Sequence, residues 1–137
     1  MICLAYFKAL ADETRIRLLN ILMHHELSVN EIVTLMAMGQ SRISRHLKIL
    51  TDSGLLECRR DGAWAFYSAA GTTTAGRFVK LLGPVFETES QLSGDIENAT
   101  RLVAERSVRT RNFFNSIAPR WNDLRQKVLG DFDLNQA

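Results

Sequence analysis

The chain has 137 residues, 46% of them hydrophobic, with 17 basic against 15 acidic side chains and a net charge of +2. That length can bury one core with a helical extension but is short for two independent domains, and the near-neutral balance excludes a basic tail or a general polyanion sponge. Two cysteines, Cys3 and Cys58, are too few for a disulfide framework or a zinc cluster by themselves, and no apolar run reaches the ~18 residues of a membrane span. The opening MICLAYFKALADE has neither a basic leader nor a cleavage-like end, so a reducing, cytoplasmic setting without a membrane partner is expected.

Ile2, Leu4, Ala5, Phe7 and Leu10 lie in a first segment free of breakers, which reads as a helix ending near Ala11. Asp12 then suits an N-cap, its carboxylate accepting from the free amides near Thr14 and Arg15, a contribution of about 1 kcal/mol. Ile16, Leu19, Leu22 and Met23 carry a second helix. After the HHEL connection, Ser28 and Glu31 have the spacing of a capping box and open a short third helix, Val29 to about Ala37. Met38 and Gly39 break the pattern. The glycine is expected to take the left-handed conformation that closes the helix, and a new helix opens near Gln40 or Ser41. On that helix Ile43, Leu47 and Leu50, at i, i+4 and i+7, define an inward stripe. Ser41, Ser44, Arg45 and Lys48 then face the other way, with Arg42 at the border, and Gly54 ends the helix.

LLECRRDGAWAFYS reads as a β-hairpin turning at Asp61-Gly62. A regular register pairs Leu56 with Tyr67 and Cys58 with Ala65 on one face, and Arg59 with Trp64 on the other. From 40 to 60, Arg42, Arg45, Lys48, Arg59 and Arg60 face only Asp52 and Glu57, so more than the whole net charge sits in this stretch. The order of elements is that of a mainly α fold, a winged helix-turn-helix with a two-stranded wing. A basic outer side on a lone helix is usually just a solvated face. Here the cations are mixed with short hydroxyls, a tight turn precedes the helix and a second basic element follows it, and together these favour DNA binding.

After AAGTTTAG, the apolar residues Phe78, Val79, Leu81, Leu82, Val85 and Phe86 predict a helix interrupted near Gly83-Pro84. From about Asp95 to Ile117 there is no proline or glycine, and Ile96, Val103 and Ile117 share a seven-residue register that Thr110 interrupts. A long helix is expected, without a full coiled coil. Arg101, Arg106, Arg109 and Arg111 read as a solvated face balanced by Glu97 and Glu105. Phe113, Phe114, Ile117, Trp121 and Leu124 are too apolar for a tail and call for a partner surface. The expected division is a DNA-binding domain over 1–70 and a helical dimerisation and linker extension over 71–137, a C-terminal arm.

The stretches FKALADETRIRLLNIL, LSVNEIVTLM and QSRISRHLKILTDSGLLECRRDGAWAFYS resemble the ArsR family of bacterial transcriptional regulators, from about residue 6 to residue 68. The resemblance implies a homodimer on a palindromic double-stranded DNA operator, usually a repressor controlled by a small effector. Its two recognition helices would lie about 34 Å apart in successive major grooves. Carried over by position, Gln40, Ser41, Ser44 and Arg45 are the base-reading candidates, and Arg42, Lys48, Arg59 and Arg60 are assigned to phosphate. Arg45 has the fork for a bidentate contact to guanine, worth about 1 to 3 kcal/mol in discrimination. His46 corresponds to the family's structural histidine, and the helix after the wing joins the dimer interface.

Many members of the family sense metal or arsenic through a Cys-x-Cys pair at the start of the third helix. Ser28 and Asn30 stand there in this chain, so no metal site is expected. His24 and His25 are adjacent and point apart, and Cys3 and Cys58 serve a redox switch only if they meet. The stretch NFFNSIAPRWNDLRQKVLGDFDLNQA is similar to the segment that joins ArsR regulators to S-adenosylmethionine-dependent methyltransferase domains. That likeness implies S-adenosylhomocysteine or S-adenosylmethionine as the effector. The glycine-rich strand-turn-helix of such an enzyme does not appear before Ala137, so no catalytic residue, bound cofactor or enzymatic activity is expected. Two alternatives stay open: a metal- or redox-sensing regulator, and a dimerisation or regulatory module of a longer methyltransferase fusion.

Overall fold

The computed structural model describes the backbone of residues 1–129 and the side chains of residues 1–113. Its elements are α1 (Ile2–Leu10), α2 (Glu13–His24), β1 (Leu27–Ser28), α3 (Val29–Met36), α4 (Gln40–Asp52), β2 (Leu56–Asp61), β3 (Trp64–Ala69), α5 (Thr74–Phe86) and α6 (Ser90–Leu129). Local chemistry sets most of the boundaries. The Asp12 carboxylate accepts from the Arg15 amide at 3.1 Å and opens α2. At α3 the Ser28 hydroxyl accepts from the Glu31 amide at 3.3 Å while the Glu31 carboxylate accepts from the Ser28 amide at 3.0 Å, a complete capping box.

The core forms where the apolar stripes of α2, α3 and α4 meet the base of the sheet. Leu18, Leu19, Leu27, Ile43, Leu47, Leu50 and Leu55 are each 0% exposed. Tyr6 and Phe7 of α1 both meet Phe78 of α5, with ring centroids 5.1 and 5.7 Å apart, in tilted and edge-on arrangements of the kind aromatic pairs prefer.

Five sequence expectations are corrected. First, α3 is closed by Ala37 in the left-handed region at φ 53°, while Gly39 at φ −63° is the N-cap of α4. An alanine there costs about 1 kcal/mol in local conformation, which the burial of Met36 and Ile43 on either side of the turn offsets. Second, the sheet has three antiparallel strands in the order β1-β3-β2, the short β1 pairing Leu27 with Tyr67 and Ser28 with Phe66. Third, the hairpin turns at Gly62-Ala63, so Leu56 pairs with Ala69, Cys58 with Tyr67, Arg59 with Phe66 and Asp61 with Trp64. Gly62 alone in the loop has a positive φ, 62°, as a turn with glycine at its first central position requires. The pairing shifts by two residues, which preserves the faces but changes the partners.

Fourth, α5 begins at Thr74, capped by the Thr73 hydroxyl accepting from the Gly76 amide at 3.2 Å, and continues through Pro84. The lost hydrogen bond falls in the last turn, where the acceptor that Pro84 leaves without its helical donor belongs to Lys80, an exposed residue. Gly76 permits the start: a Cβ there would stand 2.2 Å from the Gly71 carbonyl oxygen. Fifth, α6 starts at Ser90 and runs through Gly94, because Leu92, Asp95 and Ala99 are buried against the rest of the fold. Asn20 donates to the Leu92 carbonyl at 3.0 Å, and Arg17 binds Asp95 through two bonds of 2.8 and 3.0 Å.

The chain separates into two compact units, Met1–Leu102 and Val103–Ala137. In the second, Arg109 and Arg111 are exposed, Arg106 is half-buried, and the Thr110 hydroxyl donates to the Arg106 carbonyl at 3.0 Å. Phe113 is exposed; the side chains of Phe114, Ile117, Trp121 and Leu124 lie outside the described residues. Among the described residues, no helix is long and apolar enough to cross a membrane.

Candidate nucleic-acid interface

The α3–turn–α4 unit presents its polar ridge because the opposite stripe is fully buried. Ile43, Leu47 and Leu50 pack inward, and Gln40, Ser41, Arg42, Ser44, Arg45 and Lys48 are all exposed. The ridge divides by helical spacing. Gln40, Ser44 and Lys48, at i, i+4 and i+8, border the hairpin: Gln40 shares a recess with Ala63 and Trp64, and Ser44 and Lys48 share another with Arg60. Ser41 and Arg45 form the neighbouring outward row, with Arg42 beside them. Lys48 is held at 3.1 Å by Asp52, an exposed pair one turn away. Of the eight residues anticipated from sequence, Gln40, Ser44, Lys48 and Arg60 thus lie along the seam of α4 and the wing, and Ser41, Arg42 and Arg45 are exposed on α4.

The eighth, Arg59, points elsewhere. Its guanidinium donates to both Glu26 carboxylate oxygens, at 2.8 and 3.1 Å, and lies 4.8 Å from the centre of the Phe66 ring. Trp64 was not anticipated as part of this surface; it is 56% exposed at the wing tip beside Gln40. A charge count does not find it, although its place at the end of an alternating strand does. Cys58 faces Tyr67 across the hairpin, and burial, followed by the neighbouring Cys58 thiol, raises the tyrosine's pKa. Both cysteines are free and exposed.

His46 ties α4 to the frame behind it. A guanidinium can only donate, so the 3.2 Å contact between Arg15 Nη1 and His46 Nδ1 makes that nitrogen the acceptor and the imidazole neutral. Arg15 also donates to the Ala9 and Lys8 carbonyls, so one side chain joins the end of α1, the start of α2 and α4. Burial pushes the His46 pKa below its usual value; Asp12 opposes this, while Arg15, Arg42 and Arg45 reinforce it. The unfolded chain therefore takes up this proton first as pH falls. Stability from this site is complete above about pH 6.5 and is lost as pH drops through the lower folded pKa. Urea midpoints between about pH 7 and 5 should fall for the unaltered protein, and His46→Gln should flatten that slope. An unchanged slope would show that the imidazole is not neutral in the fold.

Residues 12–57 match the family model described as "Bacterial regulatory protein, arsR family". The arsenic resistance transcriptional regulator ArsR1 of Pseudomonas putida is 45% identical over 90 residues, a stretch covering 65% of this chain and 70% of that protein. The chain belongs to the ArsR family. The arsenical resistance operon repressor of Escherichia coli is 45% identical over 62 residues, 44% of this chain, and the match spans 53% of that relative's length. Reduced HlyU from Vibrio cholerae superposes with a TM-score of 0.54 at 31% identity, covering 61% of this chain and 87% of HlyU. The homodimeric winged helix-turn-helix DNA-binding domain Mb0332 of Mycobacterium bovis superposes with a TM-score of 0.56 at 31% identity, covering 63% and 79%. These ArsR-family and HlyU likenesses bear out the winged helix-turn-helix expected from sequence, with β1 added to its wing.

Proposed function

We propose that this ArsR-family chain is a dimeric, sequence-specific DNA-binding transcriptional regulator, acting as a repressor on a palindromic operator. The observation that carries the reading is the opposition on α4 between a fully buried stripe and an exposed ridge of hydroxyls, amide and cations, continued by Arg60 on the wing. Gln40, Ser41, Ser44 and Arg45 read bases; Arg42, Lys48 and Arg60 neutralise phosphate. Residues 1–70 then form the reading domain and 71–137 the helical extension. Exposed Ile2, Leu4 and Phe7 of α1 and Leu81 and Val85 of α5 supply apolar surface for a second copy, as the homodimeric Mycobacterium bovis neighbour supports.

Selection from random duplexes should return a palindrome, bound with an affinity that falls with salt at a slope of about −0.9 per phosphate neutralised. Arg45→Ala should relax preference at one symmetric position by about 1–3 kcal/mol, while Arg60→Ala should weaken all sequences alike. Salt-insensitive association, or no duplex bound, sinks the reading.

For the effector, we place the chain with the methyltransferase-associated regulators, and S-adenosylhomocysteine or S-adenosylmethionine is the ligand to test. Support comes from the likeness of residues 112–137 alone. A second reading, metalloid sensing, is favoured by the names of the relatives, an arsenical resistance operon repressor and an arsenic resistance transcriptional regulator. It lacks the thiols at the start of α3, where the Ser28 hydroxyl is engaged in the capping box. Among the described residues, no group of three or more His, Cys, Asp or Glu side chains converges. A thermal shift with either nucleoside supports the first effector class and a shift with arsenite the second.

A further inference from the structure

Ser28 of β1, Phe66 of β3 and Arg59 of β2 lie abreast across the three strands, so their side chains share one face of the sheet. Glu26, two residues before Ser28, continues that face along the β1 edge. From this arrangement Arg59 crosses the Phe66 ring and ends in its two-bond contact with Glu26. Spanning from β2 over β3 to the β1 edge covers about 10 Å, a distance that suits the long arginine stem and its planar fork.

Glu26 is itself fixed from both sides. The His25 amide closes α2 on the Ile21 carbonyl at 3.1 Å, His25 Nε2 lies 3.1 Å from the Thr100 hydroxyl of α6, and Leu27 enters the sheet opposite Tyr67. Asp61 adds a second acid 3.8 Å from the Arg59 guanidinium. Arg60, one residue on, falls on the opposite face, in the recess with Ser44 and Lys48 of α4. The pleat therefore sends two adjacent arginines to different surroundings, one occupied by carboxylates and a ring, the other open toward the ridge of α4.

We propose that Arg59 is a positioning residue, clamped to Glu26 over Phe66 so that the wing is braced against the β1 edge, and that Arg60 alone of this pair meets DNA phosphate. The proposal rests on the DNA-binding reading and changes the role that sequence assigns to Arg59. Both partners are partly exposed, so a phosphate placed there would compete with Glu26 for the same donors.

The test measures binding of the full chain to its selected duplex over a salt series. Arg60→Ala should reduce the magnitude of the salt slope by about 0.9. Arg59→Ala and Glu26→Gln should each weaken binding roughly two- to fivefold with the slope unchanged, and the chain carrying both should be no weaker than either. Exchanging the charges, Glu26→Arg with Arg59→Glu, should recover affinity. A slope reduced by about 0.9 in Arg59→Ala, or tighter binding in Glu26→Gln, overturns the assignment. Amide hydrogen exchange over residues 57–68 without DNA gives a second measure: it should quicken in Arg59→Ala and Glu26→Gln, and unchanged rates overturn the brace. Failure of the unaltered chain to bind any duplex removes the DNA reading and Arg60's part with it, while the exchange rates still decide the brace.

Discussion

Leu47→Ala is expected to lower the unfolding free energy by about 2–5 kcal/mol and to abolish operator binding at temperatures where the unaltered chain is folded. Leu47 is fully buried between Ile43 and Leu50, and α4 packs through this stripe on α1, α2, α3 and β2. Truncation removes apolar contacts and leaves a cavity in a site whose walls are other helices, with little freedom to collapse. The urea midpoint should drop with the m-value unchanged. Arg45→Ala is the control, two positions away and exposed: stability should stay within about 0.5 kcal/mol while sequence preference relaxes at one symmetric position. Equal stability in Leu47→Ala would mean that the inward stripe does not hold the helix, and the outward ridge would then lack its physical cause.

Features governed by neighbours in sequence are legible in the sequence alone. The Asp12 cap, the Ser28–Glu31 capping box and the Ile43, Leu47, Leu50 stripe each depend on residues three or four apart, and each is present. What was missed depends on residues far apart. Left-handed Ala37 is tolerated because of packing on both sides of the turn, and the early start of α6 through Gly94 follows from Arg17 and Asn20 reaching it from α2. β1 has only two residues, too few for any alternation to show, and exists because β3 offers an edge.

The candidate site shows the same division. Exposure of Gln40, Ser41, Arg42, Ser44, Arg45 and Lys48 follows from helical period alone. Their grouping does not: that Gln40, Ser44 and Lys48 border the wing depends on where the hairpin packs. Arg59 and Arg60 look equivalent as a dipeptide, and only the partner strands and Glu26 distinguish them.

Arg17→Ala is expected to destabilise the fold by about 2–4 kcal/mol, more than removal of any exposed ion pair here. Asp95 is 7% exposed, and both its oxygens accept from Arg17, at 2.8 and 3.0 Å. Without the guanidinium, the carboxylate stays in a poorly hydrated place with its strongest donors gone. Replacing both partners, Arg17→Met with Asp95→Leu, should return most of the stability, because neither charge then needs compensation. The single variants Arg17→Met and Asp95→Leu with their double complete a cycle, readable by urea denaturation, and a coupling near zero would show that the pair is not the link. Exchange at residues 90–102 should quicken in Arg17→Ala beyond the change in global stability, since Asn20 to the Leu92 carbonyl is the other polar bond described between α2 and this start of α6.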